Sequence, residues 1–413
     1  MANTFTKPRG TIDMIGAQAE KYQKLVQTLN EKAHLYGVSP IITPMFEENK
    51  LFHRGVGETT DIVTKETFNL ESKGGHEYTL RPEFTAGIMR AVIENKLYAS
   101  PHMPLKLYYS GSIFRYERPQ TGRYREPHQW GIEFLDEHLD EVSTVEVLLL
   151  MVSCLKAIGI ENPILKINTL GSLTSRIAYK SALVEYFVPF IDSMCADCKA
   201  RLETNPLRIL DCKVEEDKKI ASNAPIIRDY LTDEDKQEFE GILNKLQELG
   251  IEYEIDDHLV RGLDYYTGIV FEVYEKSHLN LGALGGGGKY DGLSKALGGP
   301  NLEGIGFSFG LDRLLLSLND EDKEEPIDVM LYVQDDVSLM LKLAEELRKK
   351  NISTLIPHVG KSLKSALKMA DGKRIKRFVF KKDDFYVVKD MEKNEQKECR
   401  YENILNNLSL GGK

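Results

Sequence analysis

The chain has 413 residues, 42% of them hydrophobic and 29% charged, with a net charge of −10. At roughly 150 residues per domain this amounts to two or three domains, and the ordinary apolar-to-charged balance excludes a disordered, collagen-like or disulfide-framework protein. The longest clean apolar run, residues 147–152, is far short of the ~18 needed to cross a bilayer, and the first ten residues carry no apolar signal core, so a cytoplasmic location without membrane attachment is expected.

In chain order, residues 11–160 mix helical periodicity (17–33 and 143–158) with strand-like runs at 41–43 and 105–109. From about 172 to 255 the text is helical and highly charged; within it Phe239, Ile242, Leu243, Leu246 and Leu249 recur at helical spacing. Extended, glycine-rich text returns at 259–310, with an extended run expected over 259–274, followed by a short helix at 311–318 and a polar linker at 319–326. The first 325 residues therefore read as one α+β domain split by a helical insertion. Beyond the linker, strands at 327–333, 353–357, 377–381 and 385–389 alternate with helices at 338–350 and 361–370. That alternation indicates a compact α/β module.

Charge separates the same two portions. Residues 326–413 hold 18 Lys and Arg against 13 Asp and Glu, a net +5, so residues 1–325 carry −15. Within the tail, nine basic residues from Lys361 to Lys382 face a single acidic one, Asp371. Such a distribution is compatible with a polyanion partner that the total charge conceals.

Several motifs fail as familiar signatures. The run from Gly282 to Lys289 has Ala283 where a P-loop needs glycine and Tyr290 where it needs Ser or Thr. The run from Gly304 to Gly310 has the wrong spacing for a dinucleotide fingerprint. Both glycine clusters instead suggest close approach of backbone to a ligand or a neighbouring strand. Cys195 and Cys198 form a C-x-x-C pair, with thirteen residues between Cys198 and Cys212. Tetrahedral zinc wants four ligands, and no fourth Cys or suitably spaced His lies nearby, so no metal is expected and reduced thiols are.

Residues 114–125 pack four arginines, Arg115, Arg118, Arg123 and Arg125, with two tyrosines, Tyr116 and Tyr124, around a Pro/Gly turn. Guanidinium forks suit phosphates and tyrosine rings suit base stacking; a solvated, salt-bridged hairpin is the competing reading. Gln129 and Glu133 share one face of the strand-like run at 128–133, which suggests a polar pocket on the side of the arginine loop.

Taken together, these segments resemble the histidyl-tRNA synthetase family, a class II aminoacyl-tRNA synthetase family. Ile42-Thr-Pro44 with 46–52 is similar to class II motif 1, Phe114-Arg115-Tyr-Glu117 to motif 2 and Gly304 to Arg313 to motif 3. Leu259-Val-Arg261-Gly-Leu-Asp-Tyr265-Tyr266-Thr-Gly268 and Gly286-Gly-Gly-Lys289-Tyr290-Asp-Gly292 are similar to the family's two histidine-specific signatures, and the segment around Glu83 and Thr85 to its amino-acid-binding strand and helix start.

The resemblance implies ATP-dependent ligation of L-histidine to tRNA(His) through a histidyl-adenylate. The implied fold is a class II antiparallel-sheet catalytic domain over 1–325 with the insertion, followed by an α/β anticodon-binding domain over 326–413. It further implies that Arg115 and Arg261 hold the α-phosphate and Arg313 the γ-phosphate, with Glu117 also in the ATP site and Mg2+ on the pyrophosphate portion. Glu83, Thr85 and Gln129 would receive the α-ammonium, Glu133 and Tyr266 the imidazole, with Tyr265 and Tyr290 beside them. Arg118, Gln120 and Arg123 would meet the acceptor end of tRNA. A homodimer is implied as well. Phe84 and Lys289 depart from the family pattern and are expected to alter the pocket wall and remove a bidentate fork. A non-catalytic, synthetase-like regulatory subunit of ATP phosphoribosyltransferase shares this core and is the alternative, although it lacks the tail.

Overall fold

The computed structural model describes residues 5–57, 60–99, 101, 103–318, 326–332, 337–357 and 360–408; most of the linker expected at 319–326 lies outside them. Contacts divide the chain into two units, Met1–Glu321 and Asp322–Lys413.

The first unit is built on an eight-stranded sheet in the order Ser39–Pro40, Leu105–Ser112, His128–Asp136, Glu303–Gly310, Gly285–Tyr290, Tyr266–Glu275, Pro163–Thr169, Tyr253–Ile255. The five interior pairings are antiparallel and the two edge pairings parallel. Alternation decides what each face carries. From the strand His128–Asp136, Trp130, Ile132 and Phe134 enter one core with Phe271, Phe307 and Phe309. That face is covered by the helices Ala17–Leu35, through Leu25, Leu29 and Ala33, and Glu141–Ala157, whose start is capped by Asp140 accepting from the Ser143 amide at 2.9 Å. Glu133 and Leu135 point the other way, toward a second core with Phe84, Ile88, Tyr266 and Tyr290. The helix Thr85–Glu94 covers this side.

Glycine permits functional side chains to lie flat on the central strands. A Cβ on Gly306 would overlap the Glu133 carboxylate, and one on Gly304 would overlap the Tyr290 ring. Close approach, not a phosphate loop, explains these glycines.

The insertion runs from the helix Leu173–Phe187 to the helix Asp233–Glu248 and has a small core of its own, including Tyr179, Leu183, Phe187, Cys198, Ile209 and Cys212. Its last helix belongs elsewhere: Phe239, Ile242 and Leu246 join the main core, while Leu249, read as part of the same apolar stripe, is 51% exposed. Two other expectations change. Residues 41–43 lie outside any strand, with Ile42 96% exposed, and the extended run expected over 259–274 becomes a strand only at Tyr266–Glu275. The irregular stretch before it brings Arg261 back onto the sheet, where it pairs with Glu272.

The second unit has a five-stranded sheet in the order Thr354–Leu355, Val329–Tyr332, Arg377–Lys382, Phe385–Asp390, Glu395–Cys399, parallel among the first three and antiparallel thereafter. The helix Val337–Lys349 packs into one core with Leu331 and Val379, and Leu363–Gly372 into another with Met330 and Phe378. Two-sided burial fits the apolar parallel strands, Val329–Tyr332 being buried throughout. The last strand, Glu395–Cys399, lacks an apolar signal because four of its five residues are exposed.

Candidate functional site

A cavity of about 180 Å³ opens over the site face of the sheet, lined by Arg115, Glu117, Arg123, Gln129, Arg261, Glu272 and Arg313 among others. Three distant segments supply its cations. Arg115 is fixed by Nε donating to the Pro82 carbonyl at 2.9 Å. Arg313, two residues into the helix Leu311–Ser317, donates to the carbonyls of Ala283 at 2.6 Å and Gly122 at 3.3 Å. Burial, reinforced by neighbouring Arg123, lowers the Arg313 pKa, marking a site short of negative charge. Arg261 pairs through Nη1 with Glu272, which also accepts from the Tyr274 hydroxyl at 2.5 Å; the buried Arg261 Nε has no hydrogen-bond partner. Burial opposes the Arg261 charge, but Glu272, Tyr266 and Tyr265 together outweigh it and leave its pKa raised.

Beside this cavity lies a buried polar cluster. Glu83 accepts from the amides of Thr85 at 2.6 Å and Ala86 at 3.0 Å, tying down the first turn of the helix Thr85–Glu94. Thr85 donates its hydroxyl to Glu133 Oε1 at 2.6 Å, and Tyr290 donates to Oε2 at 2.7 Å. Glu133 is 3% exposed. Burial pushes its pKa to about 8 despite those two hydrogen bonds, and nearby Glu83 adds to the rise. Burial also raises Glu83. Tyr265 lies 4.7 Å from Tyr266 and 5.3 Å from Tyr290, ring to ring, and all three are buried. The strand His128–Asp136 joins the two regions, since Gln129 lines the cavity and Glu133 sits in the cluster. The strand thus sets a cavity suited to an anionic ligand beside a buried, hydrogen-bonded polar cluster.

The arginine-rich stretch is only partly used. Gln120 and Arg123 exchange backbone hydrogen bonds across a tight turn, and with Arg118 they line a second cavity of about 500 Å³ that shares Glu117 and Arg123 with the first. Arg125 instead lies over the Tyr116 ring at 3.9 Å, with its Nε donating to the Glu117 carbonyl. It braces the hairpin and covers one face of Tyr116, whose ring is otherwise 54% exposed. Lys289 also differs from expectation: it points away from the pocket to Glu238 at 3.2 Å and Glu303 at 3.4 Å, so the missing arginine fork costs the site nothing. Phe84, beside Glu83, is buried in the second core and stacked on Tyr109 at 4.3 Å.

Sequence reading missed the supports. Glu272 holds Arg261; its signal was a lone carboxylate within the apolar run 269–273. Asp312 accepts from the His128 amide at 2.8 Å and from its ring Nδ1 at 3.1 Å, locking the strand that carries Gln129 to the helix that carries Arg313. A further group lies in the insertion, where Cys195, Cys198 and Cys212 meet a fourth potential ligand, Asp217. No fourth Cys or His joins the three thiols; the fourth potential ligand is a carboxylate.

The model of the family described as histidyl-tRNA synthetase matches residues 10–314. The chain belongs to the histidyl-tRNA synthetase family. Histidine–tRNA ligase of Bacillus subtilis is 41% identical over 99% of both chains. The crystal structure of apo S. aureus histidyl-tRNA synthetase superimposes with a TM-score of 0.81 at 32% identity, covering 98% of this chain and 100% of that one. A Bacillus halodurans structure titled as an ATP phosphoribosyltransferase regulatory subunit/histidyl-tRNA synthetase has a TM-score of 0.65 at 23% identity, covering 90% of this chain and 97% of that one, and shares the fold. Family membership gives the α+β architecture its class II context. Among the described residues, no helix is long and apolar enough to cross a membrane.

Proposed function

We propose that this protein is a histidine–tRNA ligase that activates L-histidine with ATP to a histidyl-adenylate and passes the histidyl group to tRNA(His). The observation that carries the reading is Arg261, a half-buried arginine whose buried Nε is unpartnered, on the cavity it shares with Arg115 and Arg313. Carboxylate attack on ATP builds negative charge at the α-phosphate, and fixed cations aimed there stabilise the transition state without reorganising. Arg115 and Arg261 serve the α-phosphate and Arg313 the γ-phosphate. Glu117, whose ion pair to Arg123 is long at 3.8 Å, offers the cavity an oxygen ligand suited to the Mg2+ that accompanies the pyrophosphate.

Substrate selection belongs to the buried cluster. Glu83, with Thr85 and Gln129, receives the α-ammonium; Glu133 and Tyr266 serve the imidazole nitrogens, with Tyr265 and Tyr290 alongside. A neutral Glu133 can both donate and accept, matching a ring that presents one N–H and one lone pair. An amino acid lacking those nitrogens leaves the imidazole-facing polar capacity of this buried cluster unpaired, which rejects it strongly.

For tRNA, Arg118, Gln120 and Arg123 line the neighbouring cavity at the acceptor end, and residues 326–413 read the anticodon. In the tail Lys364 and Lys368 are exposed on one side of the helix Leu363–Gly372, whereas Lys376, Arg377 and Lys382 are held by Asp328, Asp390 and Glu398. Exposed Ile42, Met45 and Phe46, at 96%, 55% and 51%, support burial of this edge in a homodimer. Alignment over 99% of the B. subtilis ligase, tail included, favours the ligase over the regulatory-subunit reading. ATP-dependent attachment of labelled histidine to bulk tRNA tests the proposal; protein that leaves tRNA uncharged at saturating ATP overturns it.

A further inference from the structure

The helical insertion contains a cluster that the histidine-activating site does not use. Cys195 caps the helix Ala196–Thr204, Cys198 lies in its first turn, Cys212 follows the short helix Pro206–Ile209, and Asp217 lies in the helix Glu215–Ala221. Four ligand atoms, three sulfurs and one carboxylate oxygen, all fall within 4.8 Å of one another. We propose that Cys195, Cys198, Cys212 and Asp217 bind one Zn2+, which pins the insertion and the loop that buttresses Arg261.

The spacing fits a tetrahedron. With Zn–S near 2.3 Å and Zn–O near 2.1 Å, ligand atoms on a tetrahedral edge are separated by about 3.8 Å for two sulfurs and about 3.6 Å for sulfur and oxygen. Cys195 Sγ lies 3.9 Å from Cys212 Sγ, and Cys212 Sγ 3.3 Å from Asp217 Oδ2. The sulfurs are far beyond the ~2.05 Å of a disulfide. Backbone donors already orient two of the ligands: the Cys198 amide points at Cys195 Sγ at 3.4 Å, and the Cys195 amide at Asp217 Oδ2 at 3.2 Å.

Asp217 is the second, independent observation. It is 1% exposed, yet among the described residues it forms no ion pair; its partners are the Cys195 amide and the thiols. A buried carboxylate is ordinarily paired with a cation or bound to a metal. Three soft thiolates in tetrahedral array select zinc over Mg2+ or Ca2+. Binding displaces the thiol protons to solvent and leaves the metal oxidation state unchanged.

The ion would also stiffen a route to the nucleotide cavity. Between Cys198 and Cys212, Asn205 donates to Asp264 Oδ1 at 2.9 Å, and Arg208 contacts both the Gly262 carbonyl and Asp264. Cys195, Cys212, Arg208, Arg261 and Gly262 line one cavity of about 200 Å³. The metal site itself is independent of the ligase reading; only its effect on Arg261 rests on it.

Metal analysis of the full-length protein, purified without chelator and dialysed, tests the proposal. One Zn2+ per chain is expected. After metal removal under reducing conditions, Co2+ should titrate to a 1:1 endpoint with the intense visible bands of a tetrahedral thiolate complex, and Zn2+ should bleach them. Asp217→Asn should weaken Co2+ binding at least about tenfold, while Asp217→Cys should restore or tighten it. Should a variant fail to fold, the wild-type titration alone decides. Substoichiometric zinc together with no tetrahedral Co2+ spectrum overturns the proposal, as does a Cys195–Cys212 disulfide, seen as three rather than five titratable thiols in unfolded, metal-free, unreduced protein.

Discussion

At the scale of single residues, the chemistry turns on buried charge. Glu133 keeps its proton to about pH 8 in the folded state, against an ordinary carboxyl value of 4.5. Between those values the unfolded chain releases a proton that the folded chain retains, so Glu133's contribution to stability is greatest below pH 4.5 and declines as pH rises toward 8. Glu133→Gln removes that decline. The stability of the variant relative to wild type should therefore rise from pH 5 to pH 8 by a few kcal/mol, on the order of 1.4 for each pH unit. Denaturant titrations at the two pH values check this, and a constant difference would mean that Glu133 is ionised in the pocket. Arg261 makes the complementary case. Arg261→Ala should lower adenylate formation by about a hundredfold or more while histidine affinity, measured by equilibrium dialysis, stays within about threefold. An active variant would remove this arginine from its assigned role.

At the scale of elements, the sequence showed some placements and concealed others for physical reasons. Period-2 alternation put Gln129 and Glu133 on one face, and the sheet carries both to the site. The helices expected at 17–33 and 143–158 appear as Ala17–Leu35 and Glu141–Ala157, their apolar residues being buried in register. Alternation could not report which residue faces Arg261, because Arg261 lies outside the strand that carries Glu272 and meets it only through an irregular turn. Nor could it report that Arg125 would spend itself on Tyr116 or that Lys289 would turn away, since side-chain partners on neighbouring strands are decided by register. Of the cysteine cluster, spacing showed the three thiols but not Asp217, because the fourth member is a carboxylate on a separate helix. Within the tail, the exposed pair Lys364 and Lys368 offers an element-level test. Replacing both with Glu should raise the KM for tRNA at least severalfold and flatten its salt dependence, leaving histidine activation unchanged; equal effects on both steps would contradict the role proposed for this helix.

At the scale of the whole molecule, a net charge of −10 is the sum of an acidic sheet domain and a basic tail. The proposed chemistry has the same division: a cationic cavity of three half-buried arginines within the acidic portion activates the amino acid, and exposed lysines in the other unit meet the nucleic acid. Local charge, not the total, governs each partner. If the arginine cavity and the buried polar cluster act as proposed, the first unit activates histidine and no other amino acid. Amino-acid-dependent exchange of labelled pyrophosphate into ATP, run on the purified full-length protein with each of the twenty amino acids, measures this. Exchange is expected with histidine and only background signal with the other nineteen; no exchange with histidine, or comparable exchange with another amino acid, would overturn the assignment.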